Sequence, residues 1–326
     1  MTVPSHVEVM KASTTFATLV ALVVSFTAQD VRRVQDANLP AAVVTVTAAS
    51  AEATVDGPAS PATQLTMSAA AMRTKTLTVA PNRSYLLTEP ISGSATRLVV
   101  ALHWSTGTGE NIRSASGFDA MAQASGSTIV AYPDGIAKSW NAGGCCRQNE
   151  MDDVEFLDAL IAAVKGRHPT IEHVVMFGQS NGGMMAYRYW LEGEHRISAF
   201  AVQAAAISEG GDLGDFTSVP YAAHLMHWHG ALDTVVPLVG RESKDLSRAV
   251  KSPYCPLFAT VSMAVNAADA DLDRWRIRSD DSSVTVWKGT HRIRLRILPD
   301  SGHGGEGEPW PSDRYEFPWR WFMLRT

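Results

Sequence analysis

Apolar and polar residues alternate along most of the chain in two recognisable periods. Short apolar runs rich in β-branched residues predict strands, and apolar positions three and four residues apart predict helices. The stretch from Asp152 to Arg167 shows the helical period most clearly, and Asp152 with Glu155 forms a capping-box pattern. The predicted strands lie at 76–79, 85–88, 97–102, 128–132, 172–177, 199–202, 223–228, 284–287 and 293–298. The predicted helices lie at 112–124, 152–167 and 184–191, in a region around 259–276, and near 319–322.

The order of these elements predicts the fold class. The first two strands are expected to form an antiparallel pair, and from residue 97 onward strands and helices alternate. Repeated strand–helix units favour a mostly parallel central sheet with helices on both faces. The sequence therefore predicts an α/β domain, which we place at residues 75–326.

The segment before this domain differs in composition. Phe16 to Phe26 is an apolar run that follows Lys11 and is too short to span a bilayer comfortably, which is typical of a signal peptide. We therefore predict a signal peptide at residues 1–28 and a secreted or periplasmic protein; a buried helix of the folded domain is the alternative. Residues 29–74 are dominated by Ala, Thr, Val, Ser and Pro, which is typical of a linker or pro-segment.

Composition and charge narrow the choice of partners. Hydrophobic residues make up 45% of the chain and charged residues 19%, as expected of a soluble globular protein with a sizeable core. The formal net charge of -5 gives no electrostatic reason to expect a nucleic-acid partner. No stable membrane insertion is expected once the signal peptide is removed, and the sequence leaves the oligomeric state open.

The three cysteines are too few for a disulfide scaffold and lack the spacing of a zinc site, so no metal is predicted. Cys145 and Cys146 are adjacent, and a bond between them would strain the peptide that joins them. In an exported protein we therefore expect one of them to pair with Cys255 and the third thiol to stay free.

A short glycine-rich sequence, Gly178-Gln179-Ser180-Asn181-Gly182, separates the strand at 172–177 from the helix that follows. A G-x-S-x-G sequence in this context is typical of a nucleophile elbow, in which a strained turn lifts the serine hydroxyl clear of the sheet. Glycines flank the serine because side chains there would collide with neighbouring backbone. The helix N-terminus, with its unpaired N–H groups, favours negative charge on a reacting oxygen. Ser180 is thus the candidate nucleophile.

A serine nucleophile needs a base, and the base needs an acid to orient it. In the fold that uses this elbow, the acid and then the base follow the serine along the chain. Asp233 lies just beyond the strand at 223–228, and His303 lies just beyond the last predicted strand. Both therefore belong to the sheet edge at which Ser180 emerges. The competing acids are Asp212, Asp215 and Asp300.

Acyl transfer also needs N–H donors for the oxyanion. The candidates are the backbone N–H of Asn181, directly after the nucleophile, and that of Ser105, in the loop after the strand at 97–102. His103 in that loop is expected to be a packed, hydrogen-bonded histidine without a catalytic role. The predicted substrate contacts are Trp104, Trp140, Asn141 and Gln179.

At these residues the chain resembles a family of secreted α/β-hydrolase esterases, the group of polyhydroxybutyrate-depolymerase-like enzymes and feruloyl or acetyl-xylan esterases. The resemblance covers roughly residues 95–305, and its most specific matches lie at 140–146 and 180–185. The other matches lie at 98–103, 132–135, 152–157 and 178–187, at His229-Gly230 with Asp233, and at Gly302-His303. The resemblance implies an α/β-hydrolase fold and an ester hydrolase without metal or nucleotide cofactor, whose triad is Ser180, Asp233 and His303.

Two positions depart from the family pattern. Trp104 stands where the family usually has glycine, which makes the loop that carries an oxyanion donor bulkier. Gly304-Gly305 follow His303 where the family often has tryptophan, which opens or reshapes the leaving-group side.

These features predict an exported serine esterase that hydrolyses carboxylic esters through an acyl-enzyme. The expected substrates are polyhydroxyalkanoate-type oligomers or feruloyl and acetyl esters of plant polysaccharide, and the sequence does not choose among them. A peptidase or thioesterase on the same triad is one alternative. A catalytically silent member that binds polymer or glycan is another, and the complete triad argues against it.

Overall fold

The computed structural model describes residues 71–143, 152–207, 218–240, 255–270, 283–304, 311–312 and 314–326. These residues belong to one compact unit, Ala69–Thr326. A separate unit, Met1–Ser68, includes the predicted signal peptide and most of the predicted linker and lies outside the described residues. The first strand begins at Met72, slightly before the predicted start of the domain at residue 75.

The described residues form nine strands, six α-helices and one short 3₁₀ helix, Ile136–Lys138. The strands are β1 (Met72–Ala80), β2 (Arg83–Pro90), β3 (Arg97–Leu102), β4 (Thr128–Pro133), β5 (His173–Gln179), β6 (Ala199–Gln203), β7 (His224–Gly230), β8 (Ser283–Lys288) and β9 (Arg292–Leu298). The helices are α1 (Gly109–Ser116), α2 (Phe118–Ser125), α3 (Asp153–Arg167), α4 (Asn181–Glu192), α5 (Leu257–Ala267) and α6 (Glu316–Met323). None of these helices is long and apolar enough to cross a membrane.

The strands form one sheet in the order β1-β2-β4-β3-β5-β6-β7-β9-β8. From β4 to β9, the neighbours in this order run parallel to one another. At one side β2 pairs antiparallel with both β1 and β4, and at the other edge β8 pairs antiparallel with β9. The predicted antiparallel opening pair and the mostly parallel sheet are therefore confirmed.

Alternation along the central strands explains why both faces of the sheet are covered. In β3, Leu98, Val100 and Leu102 belong to one apolar layer, whereas Val99 and Ala101 belong to the other. All five side chains are fully buried. Helices α3, α4 and α5 complete the first layer, and α1, α2 and α6 complete the second. Burial on both faces is why the central strands read as continuous apolar runs.

The sequence pattern predicts the start of α3 correctly but misses the break between α1 and α2. The helix predicted at 112–124 is two helices, because Gly117 has a φ of 65°, the left-handed conformation that ends α1. Helix α3 begins as predicted, since the Asp152 carboxylate accepts a hydrogen bond from the N–H of Glu155 at 2.9 Å.

The parallel strands bring three candidate residues to one edge of the sheet. Strands β5, β6, β7 and β9 are consecutive neighbours with the same direction. Ser180 directly follows β5, Asp233 lies shortly after β7, and His303 lies shortly after β9. All three therefore lie at the carboxyl ends of neighbouring strands, where open α/β sheets place their sites.

Candidate active site

Ser180 lies at a sharp turn between β5 and α4. Its backbone has φ 52° and ψ -122°, which residues with a side chain rarely adopt. Its N–H donates to the carbonyl of Gln203, at the end of β6, at 2.8 Å. A backbone of this kind costs about 1–3 kcal/mol and persists only where the surrounding structure holds it. The turn has the geometry of a nucleophile elbow.

Two glycines of the elbow are required by close packing. A Cβ at Gly178 would lie 2.6 Å from the carbonyl carbon of Gly182, and a Cβ at Gly182 would lie 2.5 Å from the carbonyl oxygen of His103. Real Cβ atoms do not approach backbone so closely, so neither position tolerates a larger residue without a shift of the chain. The contact at Gly182 also places the start of α4 directly against the end of β3.

The side chains of Ser180, His303 and Asp233 form a continuous hydrogen-bonded chain. The Ser180 hydroxyl lies 2.8 Å from His303 Nε2, and His303 Nδ1 lies 2.8 Å from Asp233 Oδ2. With Nδ1 donating to the carboxylate, Nε2 is free to accept the serine proton. His303 keeps 21% of its side chain exposed, so solvent or a ligand can approach the base. The structure thus brings the three predicted residues together in the arrangement of a catalytic triad.

The Asp233 carboxylate is buried and fully hydrogen-bonded. Its Oδ1 accepts the backbone N–H groups of Val235 and Val236 at 2.9 and 2.8 Å, and its Oδ2 also lies 3.1 Å from His229 Nε2. Burial by itself would raise the pKa of Asp233, but the hydrogen bonds from His229 and His303 outweigh burial and hold the pKa well below its usual value. The carboxylate therefore stays charged and can stabilise an imidazolium at His303.

Of the three competing acids, Asp300 lies within the residues that the structure describes. Asp300 is exposed on the turn after β9, and no hydrogen bond between it and His303 is observed. Asp212 and Asp215 lie outside the described residues.

The two predicted oxyanion donors belong to neighbouring segments. Asn181 is the first residue of α4, so its N–H has no partner within the helix. Strand β3 pairs with β5 so that Leu102 lies opposite Gly178, and the loop after β3 carries the half-buried Ser105. The oxyanion role of Asn181 and Ser105 stays a prediction.

The Asn181 side chain has a role that the sequence did not reveal. It is fully buried, its Oδ1 accepts the Trp140 N–H at 2.7 Å, and its Nδ2 donates to the Trp140 carbonyl at 3.0 Å. Its Oδ1 also lies 3.2 Å from the Ser139 hydroxyl. Asn181 therefore holds the backbone at 139–140 against the elbow, and single-sequence patterns contain no signal for such a contact.

Trp140 packs against His103, in the loop that follows β3. Its side chain is fully buried, its Nε1 donates to the His103 carbonyl at 2.9 Å, and its ring lies 4.9 Å from the His103 ring. The side chain is enclosed by protein groups and its one polar atom is already paired, and substrate contact by Trp140 stays a prediction.

His103 is a packed loop histidine, as expected. Its Nε2 accepts the N–H of Gly135 at 2.9 Å, so the proton of the neutral ring is on Nδ1, which donates to the Trp104 carbonyl at 2.7 Å. Burial lowers the pKa of His103 below its ordinary value, despite opposing contributions from the Trp104 carbonyl and nearby carboxylates. His103 therefore fixes the loop after β3 as a neutral ring.

The remaining predicted substrate contacts surround the elbow. Gln179 is 7% exposed, and its Oε1 accepts the hydroxyl of Tyr315 at 3.1 Å. Asn141 is half-buried, and its N–H donates to Asp153 Oδ2 at 2.6 Å. Trp104 is half-buried and packs against the apolar layer of α1, α2 and α6. Substrate contact by these three residues stays a prediction.

The predicted disulfide also stays a prediction. Cys255 is buried just before α5, whereas Cys145 and Cys146 lie outside the described residues.

Comparison with known proteins identifies the fold. No protein-family model matches the chain, and no curated protein matches it. Among solved structures, an acetyl xylan esterase from Aspergillus awamori is similar with a TM-score of 0.56 and 14% identity, over 77% of this chain and 99% of that chain. Esterase PE8 is matched with a TM-score of 0.47 and 15% identity, over 78% of this chain and 99% of that chain. Together with the strand order, the first comparison shows that the domain has the α/β-hydrolase fold.

Proposed function

We propose that the chain is a serine hydrolase that cleaves carboxylic esters. The observation that carries this proposal is the hydrogen-bonded chain from Ser180 through His303 to Asp233, built on a strained turn at the carboxyl edge of the sheet. In this arrangement Ser180 is the nucleophile, His303 is the base and Asp233 is the acid that orients the base.

The geometry supports a two-step mechanism. Ser180 Oγ attacks the ester carbonyl while His303 Nε2 accepts its proton, and the negative oxygen of the tetrahedral intermediate is held by backbone N–H groups of Asn181 and Ser105. His303 then donates the proton to the departing alcohol, which leaves an acyl group on Ser180. Water, deprotonated by His303, attacks this acyl group. The bond to Ser180 Oγ then breaks, His303 returns the proton to that oxygen, and the acid is released. Throughout, Asp233 keeps the imidazole oriented and stabilises its cation.

The substrate class is proposed from the sequence resemblance at 140–146 and 180–185. It favours short hydroxyalkanoate oligomers and feruloyl or acetyl esters of polysaccharide. Acetylated xylan belongs in the first substrate panel, because the solved structure with the TM-score of 0.56 is named an acetyl xylan esterase.

The other functions make different predictions. A peptidase would cleave a peptide amide as well as the more reactive ester of the same acyl group, whereas an esterase would leave the amide intact. A thioesterase would show a higher kcat/KM for a thioester than for the oxygen ester of the same acyl group. A non-catalytic binder would leave Ser180 unreactive toward a fluorophosphonate, although its hydroxyl is 2.8 Å from His303 Nε2.

The direct test uses a p-nitrophenyl ester of a short acid. We expect Ser180→Ala to lower kcat by several orders of magnitude, on the order of 10⁶, without loss of the fold. Asp233→Asn should lower kcat by about 10⁴, because an amide favours the wrong imidazole tautomer. Asp300→Asn is the matched control, since it removes an exposed carboxylate from the same edge. Retention of more than about a tenth of the activity in Ser180→Ala would refute the mechanism.

A further inference from the structure

Three buried side chains lead from the core to Asp233. Tyr187 on α4 is 2% exposed, and His227 and His229 on β7 are fully buried. The Tyr187 hydroxyl lies 2.6 Å from His227 Nδ1, and His227 Nε2 lies 3.1 Å from His229 Nδ1. His229 Nε2 in turn lies 3.1 Å from Asp233 Oδ2 and 2.7 Å from the Val236 carbonyl. We call Tyr187, His227 and His229 the buried triplet.

The sheet fixes the geometry of the buried triplet. His227 and His229 are two residues apart on one strand, so both rings lie on the same face. The two imidazole planes differ by 7° with centroids 5.4 Å apart, and the ring planes of Tyr187 and His227 differ by 15° with centroids 6.0 Å apart. Nearly coplanar rings that are hydrogen-bonded edge to edge and enclosed on a buried face have little freedom to turn, so the order of the hydrogen bonds is built into the fold.

The two groups that accept from His229 Nε2 determine the direction of every hydrogen bond in this series. The Val236 carbonyl and the Asp233 carboxylate can only accept, so His229 Nε2 carries a proton. In neutral imidazoles His229 Nδ1 then accepts from His227 Nε2, and His227 Nδ1 accepts from the Tyr187 hydroxyl. Burial and the neighbouring His229 both lower the pKa of His227 well below its ordinary value, which agrees with a neutral ring. All donors therefore point towards Asp233.

We propose that His229 is a positioning residue for the triad and that Tyr187 and His227 hold it in the tautomer that donates to Asp233. This inference rests on the proposed hydrolase function. His229 keeps Oδ2 of the carboxylate facing His303 and shares that oxygen with the catalytic imidazole. The position of Asp233 thus depends on hydrogen bonds that begin in the core, behind the residues that touch substrate.

Loss of the His229 donor has two consequences. The carboxylate is held less firmly, so kcat falls while KM changes little. Asp233 also loses a competing donor and becomes a stronger partner for protonated His303, so the acid limb of the pH–rate profile moves to higher pH. In the described residues, Asp233 faces His229 and His303, His229 faces His227 and Asp233, and His227 faces Tyr187 and His229.

The test measures kcat, KM and the acid limb for hydrolysis of p-nitrophenyl acetate by the purified chain from about pH 5 to 9. His229→Leu removes the donor, and His229→Gln offers an amide N–H at a similar reach. Tyr187→Phe removes only the hydroxyl that donates to His227, the first hydrogen bond of the series. Tyr189→Phe is the matched control, because Tyr189 is a fully buried tyrosine on the same helix whose hydroxyl donates to Asp158.

We expect His229→Leu to lower kcat about 10- to 100-fold, as does removal of a hydrogen bond that orients a metal-ligating side chain from behind, and to move the acid limb to higher pH. His229→Gln should recover part of both effects, and Tyr187→Phe should show a smaller change in the same direction. Tyr189→Phe should match the parent.

A wrong hydrolase function and a wrong role for His229 would give different results. If the parent neither hydrolyses the ester nor reacts with a fluorophosphonate at Ser180, the proposed function is wrong. If the parent is active but kcat and the acid limb of His229→Leu equal those of Tyr189→Phe, the role of His229 is wrong. Should His229→Leu not fold, Tyr187→Phe and His229→Gln decide, and an acid limb unchanged in both would overturn the inference.

Discussion

Replacement of Asp153 by asparagine tests how the loop beside the elbow is anchored. Asp153 is fully buried at the start of α3, where it forms an ion pair with Arg83 on β2. Its second oxygen, Oδ2, accepts the N–H of Asn141. Arg83 is 3% exposed and stacks 3.8 Å above the Phe156 ring, and its Nε and Nη1 have no hydrogen-bond partner among the residues that the structure describes. Asp153→Asn therefore leaves a buried guanidinium without its counter-charge.

The expected loss of stability follows from the burial of the Arg83 guanidinium. Removal of one partner of a buried ion pair destabilises proteins by about 3–5 kcal/mol, because the remaining charge is uncompensated. The amide oxygen of asparagine can still accept one hydrogen bond, so we expect the lower end, about 3 kcal/mol. For a domain of this size, each kcal/mol shifts Tm by about 2–4 °C, which gives a decrease of about 6–12 °C.

Thermal unfolding followed by circular dichroism measures the shift. Glu155→Gln is the matched control, because it removes an exposed carboxylate from the same first turn of α3. Arg83→Met combined with Asp153→Asn should be less destabilised than Asp153→Asn alone, since no unpaired charge remains. A decrease in Tm no larger than that of Glu155→Gln would refute the reasoning, and so would a double variant less stable than the single one.

Two other predictions concern groups outside the triad. Burial would raise the pKa of Glu89, but hydrogen bonds from Lys75 and two other basic side chains lower it from 4.5 to about 2; the resulting stability is complete above pH 4.5 and is lost as pH falls through about 2. Urea unfolding between about pH 6 and 2 should therefore show a smaller acid-induced loss of stability in Glu89→Gln than in the parent. Asn181→Ala leaves the buried Trp140 N–H without its partner, while the Trp140 carbonyl keeps the N–H of Ala142, and urea unfolding should show a loss of about 2 kcal/mol; an unchanged midpoint would contradict this role of the Asn181 side chain.

The elbow could be predicted because its signal is local. A β-branched strand, two glycines around a serine and a helix occupy one continuous stretch, and each follows from short-range sterics. Asp233 and His303 lie far from Ser180 in sequence, and they were found through topology instead. Parallel strands bring their carboxyl ends to one edge, so residues just beyond β7 and β9 had to lie near the residue just beyond β5.

Three features of the site could not be predicted from the sequence, for one physical reason. Burial of Trp140, the side-chain contacts of Asn181 and the link from His229 to Asp233 depend on how segments pack in three dimensions, and a linear pattern does not contain that information. An aromatic beside small residues has the same sequence whether it lines a cleft or fills the core. For His229, the spacing of four residues before Asp233 was visible, but only the turn after β7 brings its ring to the carboxylate.

The two sides of the site are held by separate buried hydrogen-bond networks. On the side of the two predicted oxyanion donors, Asn181 binds the Trp140 backbone, and the Trp140 indole binds the carbonyl of His103, just after β3. On the side of Asp233, hydrogen bonds link Tyr187, His227 and His229 in series to the Asp233 carboxylate. Helix α4 contributes to both networks, through its first residue and through a residue two turns further on. The position of α4 therefore couples the two sides, and the close contact at Gly182, where any Cβ would strike β3, explains how the sequence fixes that position.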